Sequence, residues 1–244
     1  MTEPKRILFT GGSGLLGGEF KHLLPDAHYP TTLEFDVTNY DQMNGYLSKN
    51  DIALIIHAAA FTSPPRIDQE PVKGIDVNII GTANLVKLSS LHGIRLIYIS
   101  TDYVFKGDKG NYLEDDPVYP VNKYAWSKLG GECAVRMYEN SLIIRTTFGP
   151  NVFPYEKAFT DQWTSRESVA SISKKIAYIA QTDMTGTVHV GGNRKTVFEY
   201  AKSLDESKDI NPLSINEVNF KVPQDTSLDC NKFNAAIKSQ LVGG

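Results

Sequence analysis

The feature that most constrains this chain is a glycine-rich turn near its N-terminus. The segment Thr10-Gly-Gly-Ser-Gly-Leu-Leu-Gly17 follows a short apolar run and opens an amphipathic helical pattern. Gly11 allows a tight turn, Gly14 lets the backbone approach a pyrophosphate, and Gly17 lets the helix pack closely on the strand. The segment therefore predicts a dinucleotide-binding strand–turn–helix unit. The alternative is a plain loop in which glycines serve only the turn.

Apolar runs and amphipathic stretches alternate over the first two-thirds of the chain. The runs are rich in β-branched residues and predict buried strands at 6–10, 53–57, 95–100 and 142–145. The amphipathic stretches have helical spacing and lie at 15–24, 76–92 and 123–138. Such alternation predicts βαβ units, and hence an α/β fold of the Rossmann type with a doubly wound parallel sheet.

The sequence changes character after Gly149-Pro150. Polar, turn-rich segments there separate a helical pattern at 168–181, a short strand at 187–190 and a helix near 196–204. We predict a cofactor-binding Rossmann domain at 1–148 and a small, shortened substrate-binding lobe at 149–244, part of which returns to the sheet. Because ligands of open α/β sheets bind at the carboxyl ends of the strands, this lobe is expected to close over the site.

Composition excludes several classes of protein. A net charge of −3 without a basic cluster argues against a nucleic-acid partner. No apolar segment approaches the roughly 18 residues of a membrane span, and the polar N-terminus does not resemble a signal peptide. Cys133 and Cys230 lack metal-ligand spacing and are expected to be reduced thiols. A cytoplasmic location is therefore expected, and no metal site is predicted.

Tyr124 and Lys128 form a candidate catalytic pair. They lie four residues apart in a helical pattern, which puts both on one helix face. An ammonium near a phenol favours the phenolate, so we expect Lys128 to lower the pKa of Tyr124 toward neutral pH. Thr101 follows the apolar run 95–100, where its hydroxyl could polarise a substrate carbonyl. The alternatives are a solvated helix face and a hydroxyl that only satisfies a turn.

The most specific string in the chain is Ser100-Thr-Asp-Tyr-Val-Phe105. Together with the Gly-x-x-Gly-x-x-Gly spacing of the first turn, it resembles the extended short-chain dehydrogenases/reductases of the dTDP-4-dehydrorhamnose reductase group. It also resembles a non-catalytic relative of that group, the regulatory subunit of methionine adenosyltransferase. Further strings carry the resemblance at 57–62, 78–85, 124–132, 145–147 and 227–232.

The resemblance implies roles for particular residues. The catalytic residues would be Thr101, Tyr124 and Lys128. The cofactor would contact Gly11, Ser13, Gly14, Leu15, Leu16, Gly17, Asp36, Val37, Ala58, Ala59, Ala60, Ser100, Tyr124 and Lys128, with Asp36 and Val37 at the adenine ring. The substrate would contact Thr62, Asp102, Tyr103, Val104, Arg145 and Thr147.

A short strand around 27–29, the second along the chain, is also predicted, and the residues at its end bear on the choice of cofactor. This strand ends at Pro30-Thr31-Thr32 without the carboxylate that usually accepts the ribose 2′-hydroxyl. A missing carboxylate tolerates a 2′-phosphate, although no Arg or Lys stands near Thr31 in the sequence. We therefore expect NADP(H) as the preferred cofactor and NAD(H) as the second option.

Two departures from the group concern the substrate. His57 stands where members have Asn, and it is interpreted as a hydrogen-bonded structural histidine. Thr164-Ser-Arg-Glu167 replaces the usual Gly-x-Pro-Thr. The resemblance implies an NAD(P)H-dependent reductase of the 4-keto group of a nucleotide-linked 6-deoxyhexulose, with a nucleotide sugar as partner and a homodimer as an open option. The alternatives are an NAD(P)-binding regulatory subunit without turnover and a nucleotide-sugar epimerase or dehydratase.

Overall fold

The computed structural model describes residues 2–219 and 222–242 of the chain. The strands are β1 (Ile7–Thr10), β2 (Leu54–His57), β3 (Arg95–Thr101), β4 (Ser141–Thr146), β5 (Phe148–Gly149), β6 (Lys157–Phe159), β7 (Trp163–Thr164), β8 (Glu167–Ser168), β9 (Gly186–Val190), β10 (Lys195–Thr196) and β11 (Asn211–Leu213). The α-helices are α1 (Leu15–Leu23), α2 (Tyr40–Leu47), α3 (Pro64–Gln69), α4 (Pro71–Gly74), α5 (Gly81–His92), α6 (Lys123–Val135), α7 (Val169–Ala180), α8 (Val197–Leu204) and α9 (Asn231–Val242). A π-helical segment, Ile75–Ile80, leads into α5.

A five-stranded parallel sheet forms the centre of the molecule, in the order β1-β2-β3-β4-β9. Side chains alternate between its two faces with the period of two that strands impose. In β1, for example, Ile7 and Phe9 pack on one face with α1 and α7, whereas Leu8 packs on the other with α2 and α5. Helices thus cover both faces, which confirms the predicted α/β, doubly wound fold.

The predicted second strand is reduced to one backbone bridge, in which His28 pairs with Leu8 in parallel. Residues 30–39, all of them described, form turns and irregular backbone and contain no strand. Asp36 therefore lies in a turn, where its carboxylate accepts hydrogen bonds from the N–H and the hydroxyl of Thr38 (2.9 and 2.8 Å). The outer edge of the sheet is consequently shorter than the sequence pattern predicts.

Residues 149–244 are divided between the sheet and the lobe. The helical pattern 168–181 forms α7, which packs on the sheet, and the run 187–190 forms β9, which pairs with β4. The lobe has a small core of its own around α8, formed by Phe153, Ala158, Val197, Tyr200, Ala201 and Ile210. As a boundary between domains, residue 148 stays a prediction. Among the described residues, no helix has the length and apolar character that a membrane crossing requires.

Candidate active site

A cavity of about 940 Å³ lies at the carboxyl ends of the first four sheet strands. A volume of this size suits a cofactor or a substrate. Most of the predicted site residues line it, namely Gly11, Ser13, Gly14, Leu15, Leu16, Asp36, Val37, Ala58, Ala59, Ala60, Thr62, Ser100, Thr101, Asp102, Tyr103, Tyr124, Lys128 and Thr147. Gly17, Val104 and Arg145 are not among the residues that line it.

The glycine turn leaves no room for side chains at two positions. Gly11 has a φ of +81°, and a Cβ there would lie 2.7 Å from the backbone nitrogen of Ala59. A Cβ on Gly17 would lie 2.5 Å from the Cα of Gly12. Gly17 therefore supports the turn from behind, which corrects the expectation that it contacts the cofactor itself. Its smallness allows the close helix–strand packing that the sequence predicts.

His57 is fully buried and fixes the segment that follows β2. Its Nε2 lies 3.0 Å from the Thr82 hydroxyl and its Nδ1 lies 2.8 Å from the Thr10 hydroxyl. Because the Thr82 hydroxyl donates to the Asn78 carbonyl, it accepts from Nε2–H, which leaves Nδ1 as an acceptor. The Thr10 oxygen also accepts from the N–H of Ala59 (3.2 Å). Burial lowers the pKa of His57 to about 3, and its predicted structural role is confirmed.

The end of the cavity where adenosine is expected contains a cation that the sequence did not indicate. Lys21 of α1 lines the cavity together with Tyr29, Thr31 and Thr32, and its Nζ lies 5.8 Å from the centroid of the Tyr29 ring. The expectation that no cation stands near Thr31 is therefore wrong. Helical periodicity places Lys21 one turn after Gly17, but only the fold brings it to the end of the second strand.

Tyr124 and Lys128 lie on α6. Asn122 caps the N-terminus of this helix, since its side-chain oxygen accepts a hydrogen bond from the N–H of Ala125 (2.8 Å). Lys128 is buried, with its Nζ 4.1 Å from the centroid of the Tyr98 ring. Burial lowers the pKa of Lys128 to about 7, against the nearby charge of Glu132, which raises it. Burial also raises the pKa of Tyr124, so the predicted lowering of this pKa by Lys128 is wrong for the protein alone. The phenol is neutral at pH 7.

The Thr101 hydroxyl is held by its neighbours at the end of β3. It donates to the carboxylate of Asp102 (3.1 Å) and accepts from the N–H of Tyr103 (3.2 Å). The other oxygen of Asp102 accepts from the Thr226 hydroxyl (2.6 Å). Burial raises the pKa of Asp102, and these hydroxyls and the charge of Arg166 oppose the rise. Polarising a substrate carbonyl would require the Thr101 hydroxyl to turn away from Asp102.

Two residues expected to face the substrate are buried elsewhere. Val104 is fully buried in an apolar cluster with Phe105, and is therefore shielded from the cavity. Arg145 has an exposed side-chain fraction of only 1% and pairs with Glu132, with its Nη2 2.9 Å from Oε2. Glu132 also accepts from the Ser100 hydroxyl (2.6 Å). Arg145 is thus a structural partner of α6, because a buried carboxylate requires a cation.

Arg166 lines the cavity close to Asp102 and Tyr103 and was not predicted as a site residue. It lies in the segment that replaces the usual Gly-x-Pro-Thr, so the departure itself was the available signal. The Thr146 hydroxyl, also on the cavity wall, is buried without a hydrogen-bond partner among the described residues. Phe148 lines the cavity too.

The residues present fit a nicotinamide dinucleotide. The glycine turn lies at the N-terminus of α1, where backbone N–H groups favour a pyrophosphate. The small side chains of Ala58, Ala59 and Ala60 leave the wall open between this turn and Tyr124. The buried, unpartnered hydroxyl of Thr146 offers a donor inside the cavity. Gly11 and Gly17 allow the turn its close contacts with the backbone of Ala59 and Gly12, which a Cβ would prevent.

The parallel sheet, the glycine turn and the tyrosine–lysine pair define an extended short-chain dehydrogenase/reductase, an NAD(P)-dependent oxidoreductase class. The sequence profile of the RmlD substrate binding domain matches residues 5–154, and the chain belongs to this family.

Curated relatives fall into two groups. Methionine adenosyltransferase 2 subunit beta from Rattus norvegicus is 26% identical over 93% of this chain and 81% of the relative. The dTDP-4-dehydrorhamnose reductase from Aggregatibacter actinomycetemcomitans is 35% identical over 59% of this chain and 52% of the relative. The first similarity extends along nearly the whole chain, whereas the second is confined to part of it.

Solved structures of similar fold extend over nearly the whole chain. The dTDP-4-dehydrorhamnose reductase from Bacillus anthracis, in complex with NADP, has a TM-score of 0.86 and 28% identity, covering 97% of this chain and 93% of that one. A hypothetical dTDP-4-dehydrorhamnose reductase from Sulfolobus tokodaii has a TM-score of 0.83 and 29% identity, covering 94% of each chain.

Proposed function

We propose that the protein is an NAD(P)H-dependent reductase of the 4-keto group of a nucleotide-linked 6-deoxyhexulose. The observation that carries this proposal is the position of Thr101, Tyr124 and Lys128 on the wall of the cavity that the glycine turn also lines. Both groups of residues are needed for hydride transfer, because one holds the dinucleotide and the other acts on the carbonyl. The dTDP-4-dehydrorhamnose reductases among the relatives support the substrate class.

The proton chemistry follows from the two pKa values. When bound, the dinucleotide supplies a hydride to the carbonyl carbon of the substrate. Tyr124 is neutral at pH 7 because burial raises its pKa, so its hydroxyl can donate the proton that the carbonyl oxygen needs. Lys128 has a pKa of about 7 and in its charged form stabilises the phenolate that remains. Thr101 orients the same oxygen once its hydroxyl leaves Asp102.

We propose NADP(H) as the preferred cofactor, with NAD(H) as the alternative. Lys21, Thr31 and Thr32 lie together at the predicted adenosine end and would accommodate a 2′-phosphate. The nearby carboxylate of Glu34 accepts from the N–H and hydroxyl of Thr31 (both 2.8 Å) and does not line the cavity. The NADP complex of the Bacillus anthracis relative supports this choice. A cytoplasmic location and a homodimer stay predictions.

The test is a spectrophotometric assay with dTDP-4-dehydrorhamnose and other 4-keto sugar nucleotides. We expect consumption of NADPH, followed at about 340 nm, and loss of at least about 100-fold in kcat for Tyr124→Phe, which removes the proton donor. NADPH binding by Tyr124→Phe, measured by calorimetry, checks that the cavity is intact. Absence of cofactor oxidation with every substrate at high enzyme concentration would refute the proposal.

A second candidate function is a cofactor-binding regulatory subunit without turnover. The match to subunit beta of methionine adenosyltransferase 2 over 93% of this chain favours it. The discriminating measurement is the activity of a methionine adenosyltransferase with and without this chain. An effect that Tyr124→Phe reproduces in full, without any cofactor oxidation by the native chain, would favour this candidate over the reductase.

A further inference from the structure

Arg166 occupies the connection between β7 and β8 and lines the cavity beside Tyr103. Its backbone is fixed on both sides. The N–H donates to the Thr164 hydroxyl oxygen (3.1 Å), and the carbonyl accepts from Nζ of Lys195 (3.2 Å). The backbone from which the guanidinium extends is therefore held in a hydrogen-bonded turn.

The charge of Arg166 is not neutralised by an ion pair within the described part of the chain. The adjacent Glu167 pairs with Lys175 (2.7 Å), and Asp225 pairs with Arg194 (2.8 Å). The Nε atom of Arg166 is buried and has no hydrogen-bond partner among residues 2–219 and 222–242. A partly buried guanidinium with an unsatisfied donor is costly, which makes it a strong site for an anion.

The groups that face Arg166 do not replace such an anion. Tyr103 interacts with it through a neutral phenol, which also hydrogen-bonds to the neutral side chain of Gln162. Asp102 is near enough for the charge of Arg166 to lower its pKa, but burial raises that pKa overall. The two carboxylate oxygens of Asp102 already accept from Thr101 and Thr226. The guanidinium therefore keeps donors for a ligand in the cavity.

The three cationic side chains that line the cavity within the described residues have separate positions. Lys21 lies at the predicted adenosine end. Lys128 lies one helical turn after Tyr124 on α6, and Arg166 lies beside Tyr103. Arginine presents a planar fork of N–H donors that fits two oxygens of a phosphate or carboxylate group. Among the described residues, Arg166 is the one arginine that lines the cavity, and it lies close to Tyr103 and Asp102.

We infer that Arg166 binds an anionic group of the substrate, either the diphosphate of a nucleotide sugar or a carboxylate on its sugar. The inference rests on the proposed function only for placing the substrate on this side of the cavity. It names a specificity-determining residue in the segment where the chain departs from the group it resembles.

The test measures binding, so it does not depend on turnover. Calorimetric titrations of dTDP and of thymidine would be made at saturating NADPH on the native chain, Arg166→Gln and Arg166→Lys. If the anion is the diphosphate, Arg166→Gln should raise the Kd of dTDP by about 10- to 100-fold, the range for a hydrogen-bonded charge, with Arg166→Lys intermediate. Thymidine, which lacks the anion, should bind all three proteins with similar affinity.

The control is Arg6→Gln, which removes an arginine that pairs with Asp51 on the surface (2.9 Å), outside the cavity. This variant should bind dTDP like the native chain. The Kd of NADPH and the thermal unfolding midpoint of Arg166→Gln should also match the native values, which separates lost recognition from lost structure.

A second pair of ligands identifies the source of the anion. If Arg166 binds the diphosphate, Arg166→Gln raises the Kd of UDP-glucose and the Kd of UDP-glucuronate by the same factor. If it binds a sugar carboxylate, the loss is confined to UDP-glucuronate, and dTDP binding is then unchanged. Either pattern supports the inference.

Unchanged affinity of Arg166→Gln for all of these ligands would overturn it, as would failure of the native chain to bind any of them. The proposed function fails separately. A native chain that reduces a 4-keto sugar nucleotide while Arg166→Gln binds normally refutes only the inference. A chain without turnover, whose anion affinity nevertheless depends on Arg166, refutes only the reductase.

Discussion

At the scale of the residue, Lys128 is held in an environment that disfavours its charge. It is 3% exposed, its Nζ lies over the Tyr98 ring, and burial lowers its pKa to about 7. In the unfolded chain the pKa of a lysine is about 10.4. Between these two values the unfolded chain binds more protons, so the contribution of Lys128 to stability rises with pH. Below pH 7 the buried ammonium destabilises the fold most.

Lys128→Met should therefore stabilise the protein in a pH-dependent manner. We expect the free energy of unfolding to exceed that of the native chain most at pH 6, with the difference shrinking at pH 9, while catalytic activity is lost at both. Urea unfolding at the two pH values measures it. Lys21→Met, at an exposed site, serves as the control with little pH dependence. A gain independent of pH would contradict the assigned pKa.

We predict that Lys21 determines the choice between NADPH and NADH. Lys21→Ala should raise the Kd of NADPH about tenfold, equivalent to about 1.4 kcal/mol, and leave that of NADH nearly unchanged, because only NADPH carries the 2′-phosphate. Calorimetry with both dinucleotides measures this. Lys87→Ala is the matched control, because it removes a lysine that also lies over a tyrosine ring, that of Tyr40, but outside the cavity. Equal losses for both dinucleotides in Lys21→Ala would count against the assignment.

At the scale of the element, a buried ion pair fixes α6, the helix that carries Tyr124. Glu132 of α6 accepts from Arg145 of β4 and from the Ser100 hydroxyl of β3, so one carboxylate ties the helix to two strands. Breaking a buried pair leaves an uncompensated charge, whereas replacing both partners by apolar side chains removes the charge altogether.

Glu132→Met alone should lower the free energy of unfolding by about 3–5 kcal/mol, the usual cost of orphaning a buried charge. The double variant Glu132→Met with Arg145→Met should recover more than half of that loss, as judged by urea unfolding. Additive losses in the double variant would show that the two side chains do not act as a pair. Arg136→Met, at the half-exposed end of α6, provides a control with a small effect.

The elements also show which features were accessible from sequence. The run 95–100 and the pattern 168–181 became β3 and α7 within one residue at each end, because β-branched runs and helical spacing are local signals. The extent of the second strand could not be predicted from local signals, because in the folded protein only the bridge at His28 remains of it. The resemblance predicts that Arg145 contacts the substrate. Its partner Glu132 lies on another element, and no sequence period links the two residues. No hydrophobic or helical period points to Arg166, for which the available signal was the departure of 164–167 from the usual Gly-x-Pro-Thr.

At the scale of the whole molecule, the segment 222–228 connects the lobe to the catalytic end of β3. Asp225 forms backbone bridges with both Asp108 and Trp163, and Thr226 donates to the buried Asp102. This segment lies far along the chain from β3, so the environment of Asp102 is complete only when the last part of the chain has folded onto the sheet.

Thr226→Val should lower the free energy of unfolding by about 1–3 kcal/mol at pH 7.5, since it leaves a buried carboxylate short of one donor. The folded pKa of Asp102 is raised, and the variant raises it further, so the cost should decrease as the pH is lowered and the carboxyl becomes neutral. Denaturant unfolding at pH 7.5 and 5 tests this. Thr226→Ser keeps the hydroxyl and should be nearly neutral; an equal loss in both variants would assign the effect to the methyl group.

The return of β9 to the sheet makes the order of the chain differ from the order of the packing. Val188 and Val190 of β9, with Ile172 and Ile176 of α7, share one apolar cluster with Ile7 and Phe9 at the start of the chain. A chain cut after residue 148 would leave β4 as an open edge and uncover the face that α7 shields. The cofactor half therefore cannot be exchanged between relatives as a contiguous piece. A viable chimera must carry residues 169–190 along with it.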